Sequence, residues 1–206
     1  MLGLIGKNMG MTQIFNEQGT LVPISVIHVE PNVVIGERTE KKDGYSALIL
    51  GAGNRKKRRT KKPYAGQFRG KIEPSAVLKE FKGFGKEFKV GDKIGVELFD
   101  GIAWVDVSGI SKGKGYQGVM KRHGFHGGRK THGSKFHRAA GSTGMAATPA
   151  RIFPGTKMAG RMGGEKRTVQ NLRLVKIDQE KGILLVKGNV PGRRGGQVLV
   201  TEAKKK

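Results

Sequence analysis

The sequence has no cysteine, few aromatic residues and no long apolar run. The lack of cysteine excludes disulfides, thiolate metal sites and a thiol nucleophile, and it is compatible with a reducing compartment. No segment approaches the roughly 18 consecutive apolar residues that a membrane span requires. The apolar start of the chain is too short for a signal peptide and lacks its basic leading region. These absences favour a soluble, cytoplasmic protein with no membrane partner.

Acidic residues are also scarce, and the places where they are missing are informative. The 206 residues include 40 Lys and Arg but 16 Asp and Glu, which gives a formal net charge of +24. Residues 55–62 carry seven basic side chains and no acid, and residues 109–170 carry 13 basic side chains and one acid, Glu165. A surface charged merely for solubility mixes both signs. We therefore expect a polyanionic partner at these two segments.

The nearly neutral parts have the pattern of short β-strands with few helices. Turn signals lie at Asp100-Gly101, which predicts a tight hairpin, and at residues 178–182, which predict a longer one. A single segment, residues 74–81, has the apolar spacing of a helix. The predicted strands are residues 11–15, 21–30, 33–36, 45–50, 93–99, 103–110, 172–177, 183–187 and 197–201. This pattern is typical of a mainly β protein that forms a small closed barrel or sandwich.

Residues 111–164 have neither a strand nor a helix period, are rich in glycine and contain few large aliphatic side chains. Such a segment cannot bury enough apolar surface to offset a backbone ordering cost of about 1–2 kcal/mol per residue. Since strands precede and follow it, we interpret it as an extension that leaves the folded domain and returns. Basic segments of this kind order on RNA. The alternative is a solvated, mobile loop with no fixed partner.

The basic side chains of both segments are candidates for phosphate contacts, and the histidines among them could also stack on bases. The predicted RNA-binding residues are Arg55, Lys56, Lys57, Arg58, Arg59, Lys61, Lys62, Lys112, Lys114, Lys121, Arg122, His123, Arg129, Lys130, His132, Lys135, His137, Arg138, Arg151, Lys157, Arg161 and Arg167.

Motifs that would indicate other chemistry lack the residues that this chemistry needs. Gly113 to Gly118 match G-x-G-x-x-G. A dinucleotide site also requires an acidic residue about 20 positions further on, and none occurs here before Glu165. The histidines of the extension have no carboxylates among them to support a metal, and no catalytic triad has a credible acid. Gly195-Gly196-Gln197 is interpreted as a turn before a strand. We predict no catalytic residue, no metal, no cofactor and no small-molecule substrate.

Two other classes of protein remain as alternatives. A DNA-binding architectural protein would share the charge but would show a groove-reading helix or a wedge and a dimer seam. An enzyme acting on nucleic acid would need a cluster of carboxylates to hold Mg²⁺.

Several motifs spread along nearly the whole chain resemble one family. They are Gly3-Leu4-Ile5-Gly6-Lys7, Gly10-Met11-Thr12-Gln13-Ile14-Phe15, Ser111-Lys112-Gly113-Lys114-Gly115, Lys121-Arg122-His123-Gly124-Phe125, His132-Gly133-Ser134, His137-Arg138, Gly141-Ser142-Thr143-Gly144, Thr148-Pro149, Lys157-Met158-Ala159-Gly160-Arg161-Met162-Gly163 and Leu184-Leu185-Val186-Lys187-Gly188. Together they make the chain similar to the universal L-three (uL3) family of large-subunit ribosomal proteins, in its bacterial form.

The resemblance implies a six-stranded closed β-barrel of the translation-protein type, with a small α+β insertion and a long irregular basic extension. In this division the barrel comprises residues 1–54, 91–110 and 168–206. Residues 55–90 form the basic loop and insertion, and residues 111–167 form the extension, with its tip near 141–154.

The family function that follows is that of a structural constituent of the large ribosomal subunit. It implies direct binding of large-subunit rRNA near its 3′ end, an early role in assembly, and contacts with neighbouring ribosomal proteins. The tip would approach the peptidyl transferase centre through Ser142, Thr143, Gly144, Met145, Ala146, Ala147, Thr148 and Pro149. Many bacterial relatives have a methylated glutamine where this chain has Met145, so that modification is expected to be absent.

Overall fold

A computed structural model describes residues 1–68, 72–84 and 88–206. The protein is mainly β, as predicted. The strands are β1 (Gly3–Phe15), β2 (Leu21–His28), β3 (Asn32–Arg38), β4 (Ala47–Asn54), β5 (Ser75–Phe81), β6 (Lys93–Ile94), β7 (Trp104–Ile110), β8 (Gly115–Gln117), β9 (Gly160–Met162), β10 (Lys166–Asp178), β11 (Ile183–Lys187) and β12 (Gln197–Glu202). Three short helices accompany them, α1 (Glu40–Asp43), α2 (Lys62–Ala65) and α3 (Val119–His123).

Six of these strands close on themselves into a barrel in the order β1-β12-β7-β10-β11-β2, and all six pairings are antiparallel. Alternate residues of the strands point inward because side chains on a strand alternate between its two faces. Val105 and Val107 of β7, together with Val198 and Val200 of β12, are buried in the core on this two-residue period. The predicted hairpin at residues 178–182 joins β10 to β11, since Asp178 pairs with Ile183.

The remaining large sheet corrects the predicted extent of the barrel. Residues 32–54 and 93–94 were assigned to the barrel, but β3, β4 and β6 pair with β5 in a separate sheet of order β5-β4-β3-β6. The buried side chain of Asn32 joins the two sheets. Its Oδ1 accepts a 2.9 Å hydrogen bond from the Ile5 amide of β1, and its Nδ2 donates to the Ile5 carbonyl at 3.1 Å.

Three local predictions were wrong. The helix predicted at residues 74–81 is strand β5, because β4 offers it a hydrogen-bonded partner along its length, from Leu48–Phe81 to Asn54–Ser75. The strand predicted at residues 93–99 ends at Ile94 and continues as a 3-10 turn, Val96–Phe99, whose Phe99 is fully buried. Asp100-Gly101 therefore follows a 3-10 turn and does not form a strand hairpin.

The chain separates into two compact units, one of Met1–Ser111 with Lys166–Lys206 and one of Lys112–Glu165. In the first unit, the barrel and the second sheet share a core that includes Leu4, Val34 and Phe81. A Cβ at Gly3 would lie 2.7 Å from the Phe81 ring, so the close approach of the two sheets requires glycine there. Within the described residues, no helix is long and apolar enough to cross a membrane.

Candidate nucleic-acid interface

The first cationic segment, residues 55–62, leaves the end of β4 and is held at its start and by a turn in its middle. The Arg55 amide donates to the Pro74 carbonyl at 3.0 Å, and the Arg59 amide donates to Lys56 at 2.9 Å within a 3-10 turn, Lys57–Arg59. The Arg55 guanidinium lies 4.8 Å from the centre of the Tyr64 ring in a cation–π contact. The segment therefore has a fixed backbone from which its cations project.

The cations of this segment point into solvent. Their exposed side chains are Arg55, Lys56, Arg58, Arg59, Lys61 and Lys62. The side chain of Lys57 lies outside the described part of the structure. Exposed side chains of this kind can reach the phosphates of a nucleic acid, which is the contact predicted for them from the sequence.

The second cationic segment begins and ends in a small β ribbon that the sequence did not predict. Strands β8 and β9 pair Gly115 with Met162 and Gln117 with Gly160. The outgoing and returning parts of the backbone come very close here. A Cβ at Gly163, whose φ is +71°, would lie 2.2 Å from the Lys112 carbonyl oxygen. The prediction that the whole segment is irregular is therefore wrong where β8 and β9 pair. Glycine there lets the two backbones approach more closely than a side chain would allow.

Helix α3 follows β8, and its last turn reaches across to the returning arm of the extension. Arg122 Nη1 donates a 2.7 Å hydrogen bond to the Met158 carbonyl, and His123 Nε2 lies 3.0 Å from the same oxygen. A Cβ at Gly160 would lie 2.6 Å from Arg122 Nη1, so the guanidinium packs directly on the returning backbone. These two predicted rRNA-binding residues thus use polar atoms to hold the two arms together.

A second crossing lies further along the extension. His137 Nδ1 is 2.9 Å from the Arg129 carbonyl. A Cβ at Gly127 would lie 2.1 Å from the His137 carbonyl oxygen, and one at Gly128 would lie 2.2 Å from that of Phe136. Both glycines are therefore sites of close approach between two parts of the chain.

Apart from these contacts, the extension exposes its cations and buries almost nothing. Of residues 112–165, all of which the structure describes, Val119 alone is buried. Residues 109–164 contain no Asp or Glu, so Glu165 is the one carboxylate among the 13 basic side chains of residues 109–170. The exposed predicted residues are Lys112, Lys114, Lys121, Arg129, Lys130, His132, Lys135, His137, Arg138, Arg151, Lys157 and Arg161, together with Arg167 in β10.

The predicted tip is an exposed turn of small residues. Ser142 Oγ donates a 2.7 Å hydrogen bond to the Gly144 carbonyl, which fixes the turn, and the next side chain, Met145, is 75% exposed. Residues 142–148 are all exposed, and Pro149 is half-buried. The predicted tip therefore presents small side chains and one exposed apolar side chain, Met145.

Sequence reasoning missed one basic pair, Arg193 and Arg194. Both are exposed on the loop between β11 and β12, and that loop is pinned to β1 by the hydrogen bonds of Gly195 N to the Asn8 carbonyl (2.6 Å) and of Asn8 N to the Gly196 carbonyl (2.9 Å). The predicted turn at residues 195–197 is confirmed as the entry to β12. Two arginines flanked by Pro-Gly and Gly-Gly were the available signal, since such a loop presents both side chains outward.

Within the described ranges, no group of three or more His, Asp or Glu side chains is placed to hold a metal ion. Ion pairs within the first unit join Lys7 with Glu30, Arg38 with Asp43 and Glu80, and Lys181 with Asp178.

Comparison with known proteins identifies the class. The family described as Ribosomal protein L3 matches residues 84–183. Large ribosomal subunit protein uL3 of Treponema denticola is 57% identical over 206 residues, which cover 100% of this chain and 99% of that protein. The uL3 protein of Borrelia hermsii is 55% identical over 207 residues, which cover 100% of this chain and 99% of that protein. The uL3 protein of Borreliella burgdorferi strain ZS7 is 54% identical over 207 residues, which cover 100% of both chains.

These relatives define the class as structural, non-enzymatic proteins of the large ribosomal subunit. The chain belongs to the uL3 family, which confirms the resemblance carried by its motifs. Family membership locates it in the cytoplasmic ribosome and makes it a component of the translation apparatus.

Proposed function

We propose that this chain binds large-subunit rRNA directly, helps to nucleate folding of that RNA, and sends its extension toward the peptidyl transferase centre. The observation that carries the proposal is the extension itself, which exposes a dozen basic side chains, contains no acid between residues 109 and 164, and buries a single residue. Such a surface repels itself unless a polyanion neutralises it.

The proposed mechanism is neutralisation of phosphates at positions where rRNA helices meet. Basic side chains displace condensed counterions, and their release favours binding without reading base identity. Arg55 to Lys62 and the extension would each pin an RNA segment, and Arg193 and Arg194 add a third contact. The exposed tip, residues 142–149, would insert between RNA helices and support the catalytic centre without donating a catalytic group.

The domain assignment is part of the same proposal. The six-stranded barrel is of the translation-protein type and serves as the base from which residues 111–167 extend. Neighbouring large-subunit proteins contact the folded unit, and no small molecule is bound.

Salt dependence of binding tests the proposal. Each cation that neutralises a phosphate adds about 0.7–0.9 to the slope of log K against log salt concentration, so replacing that cation flattens the slope by the same amount. A variant with four cations of the first segment replaced, Lys56→Gln, Arg58→Gln, Arg59→Gln and Lys61→Gln, is compared with a variant carrying Lys41→Gln, Lys42→Gln, Lys79→Gln and Lys89→Gln. We expect the first set to flatten the slope on folded rRNA by about 2–4 units and the matched set to leave it nearly unchanged.

Equal slopes for the two variants would contradict the proposal. Equal affinity of the unmodified chain for folded rRNA and for duplex DNA at matched salt would favour the DNA-binding alternative. Turnover of RNA or nucleotide by the pure protein, abolished by one substitution, would favour the enzyme alternative.

A further inference from the structure

The far end of the β1–β2 hairpin carries an apolar face that no described part of this chain covers. The strand register places Met11 opposite Ser25, Gln13 opposite Pro23 and Phe15 opposite Leu21, so these side chains share one face. On that face Met11 is 54% exposed, Phe15 73% and Leu21 46%, and Pro23 is exposed as well. The other face behaves as expected, since Ile24 is fully buried and Ile14 and Val22 are partly buried.

The hairpin end is a fixed structure. Asn16 closes the turn, since its Oδ1 accepts hydrogen bonds from the amides of Gln18 (3.2 Å) and Thr20 (2.7 Å), and its own amide donates to the Thr20 carbonyl at 3.0 Å. At the other end of the face, Ser25 Oγ donates to the Gly188 carbonyl at 2.6 Å and anchors the hairpin to the barrel. Clustered exposed apolar side chains on a rigid sheet mark interaction surfaces.

The charge of this region argues against RNA as the occupant. About one residue in five of the chain is Lys or Arg, yet residues 8–37 contain neither, while Glu17, Glu30 and Glu37 give that stretch a net charge of −3. Glu17 lies in the turn itself. The hairpin end contributes no cation of its own and carries a carboxylate in its turn, which disfavours phosphates. An apolar centre with an acidic edge complements a protein that is apolar in the middle and basic at its rim.

We propose that the face formed by Met11, Phe15, Leu21 and Pro23 docks another protein of the large subunit, one that presents an apolar patch edged by Lys or Arg toward Glu17. This rests on the proposed function and deepens it by dividing the chain's partners between two surfaces. RNA is bound by the cationic segments, and protein is bound by the far end of the hairpin, residues 11–25, which contains no Lys or Arg.

A photo-crosslinking side chain placed at Phe15→p-benzoylphenylalanine in purified, assembled large subunits tests this directly. The control is Val90→p-benzoylphenylalanine, because Val90 is also apolar and 51% exposed but lies outside the hairpin. We expect mass spectrometry to identify peptides of another large-subunit protein crosslinked to position 15, and more strongly than to position 90. Crosslinks to rRNA alone, to a second copy of this chain, or no more than the control level would overturn the proposal.

A second measurement separates this proposal from the rRNA-binding proposal. The triple variant Met11→Thr, Phe15→Ser, Leu21→Thr should keep the affinity of the pure chain for folded rRNA within twofold of the unmodified value. In assembled subunits, occupancy of the crosslinked neighbour should fall severalfold, whereas Val90→Ser should leave it unchanged. A tenfold loss of rRNA affinity in the triple variant, with its fold intact by circular dichroism, would make the face an RNA contact and refute the docking proposal. The salt-slope test on the cationic segments stands or falls independently of either result.

Discussion

Arg122 and Met158 are 36 residues apart in the chain, yet the guanidinium of the first donates a 2.7 Å hydrogen bond to the carbonyl of the second. The contact joins the outgoing and returning arms of the extension. It gives Arg122 a positioning role within the protein, in addition to the phosphate contact that its charge suggests.

Removing this hydrogen bond should loosen the arms locally. A hydrogen bond to a charged donor in an exposed setting contributes about 1 kcal/mol, so Arg122→Ala should speed amide hydrogen exchange at residues 156–163 roughly fivefold in the free chain. Lys121→Ala removes the same charge from an exposed neighbour with no cross-arm contact described, and should leave exchange there unchanged. Equal effects of the two variants would show that charge, and not the hydrogen bond, governs the arm.

The second crossing offers a matched pair of glycines. Gly127 (φ +73°) and Gly133 (φ +68°) share a backbone conformation that costs a side chain about 1–2 kcal/mol. Only at Gly127 would a Cβ also meet another backbone atom, at 2.1 Å, whereas the space around Gly133 is open. Gly127→Ala should therefore increase protease cleavage between residues 125 and 140 well beyond the effect of Gly133→Ala. Indistinguishable cleavage would mean that the crossing is absent in solution.

The buried amide of Asn32 should be the most sensitive polar group in the folded unit. Asn32→Ala leaves the Ile5 amide and carbonyl without their partners, and an unsatisfied buried polar group costs about 1–3 kcal/mol. Urea unfolding should show a loss of this size or greater. Asn54→Ala, at an exposed position on β4, should change the free energy of unfolding by less than about 0.5 kcal/mol; a comparable loss there would argue against a specific role for Asn32.

A pH effect is expected in the second sheet. The hydrogen bond from the Tyr45 hydroxyl to Glu80 (2.9 Å) raises the pKa of Tyr45 above its ordinary value of 10. Because the folded-state pKa is the higher one, the stabilisation is fully present below pH 10 and is lost as the pH rises through the folded value. In a phenolate absorbance titration, Glu80→Gln removes the carboxylate that raises the pKa of Tyr45 and should move the Tyr45 transition to lower pH. An unchanged Tyr45 transition would contradict the assigned hydrogen bond.

What could be predicted from the sequence was set by local patterns. Strand β7 alternates apolar and polar residues, and β11 and β12 contain short apolar runs bounded by polar residues, so all three could be located from the sequence. The charge of the extension is likewise visible in the sequence alone. The helix predicted at residues 74–81 failed because pairing with β4 overrode the local spacing of Val77, Leu78 and Phe81.

Local sequence patterns do not predict contacts between distant parts of the chain. Nothing in the sequence around Asn32 indicates its hydrogen bond to Ile5. The division of the strands between the barrel and the second sheet was therefore not predicted. Similarly, nothing near Arg122 points to Met158. The polar residues of the extension were interpreted as RNA ligands alone, although several also hold the extension's own arms.

The position of the extension's tip is tested most directly by replacing Met145 with a diazirine-bearing side chain in assembled large subunits and mapping its crosslinks. We expect crosslinks to large-subunit rRNA close to the peptidyl transferase centre, at a yield well above that of the same side chain placed at Val90. Reaction with solvent alone, or crosslinks to rRNA far from that centre, would contradict the proposed path of the extension.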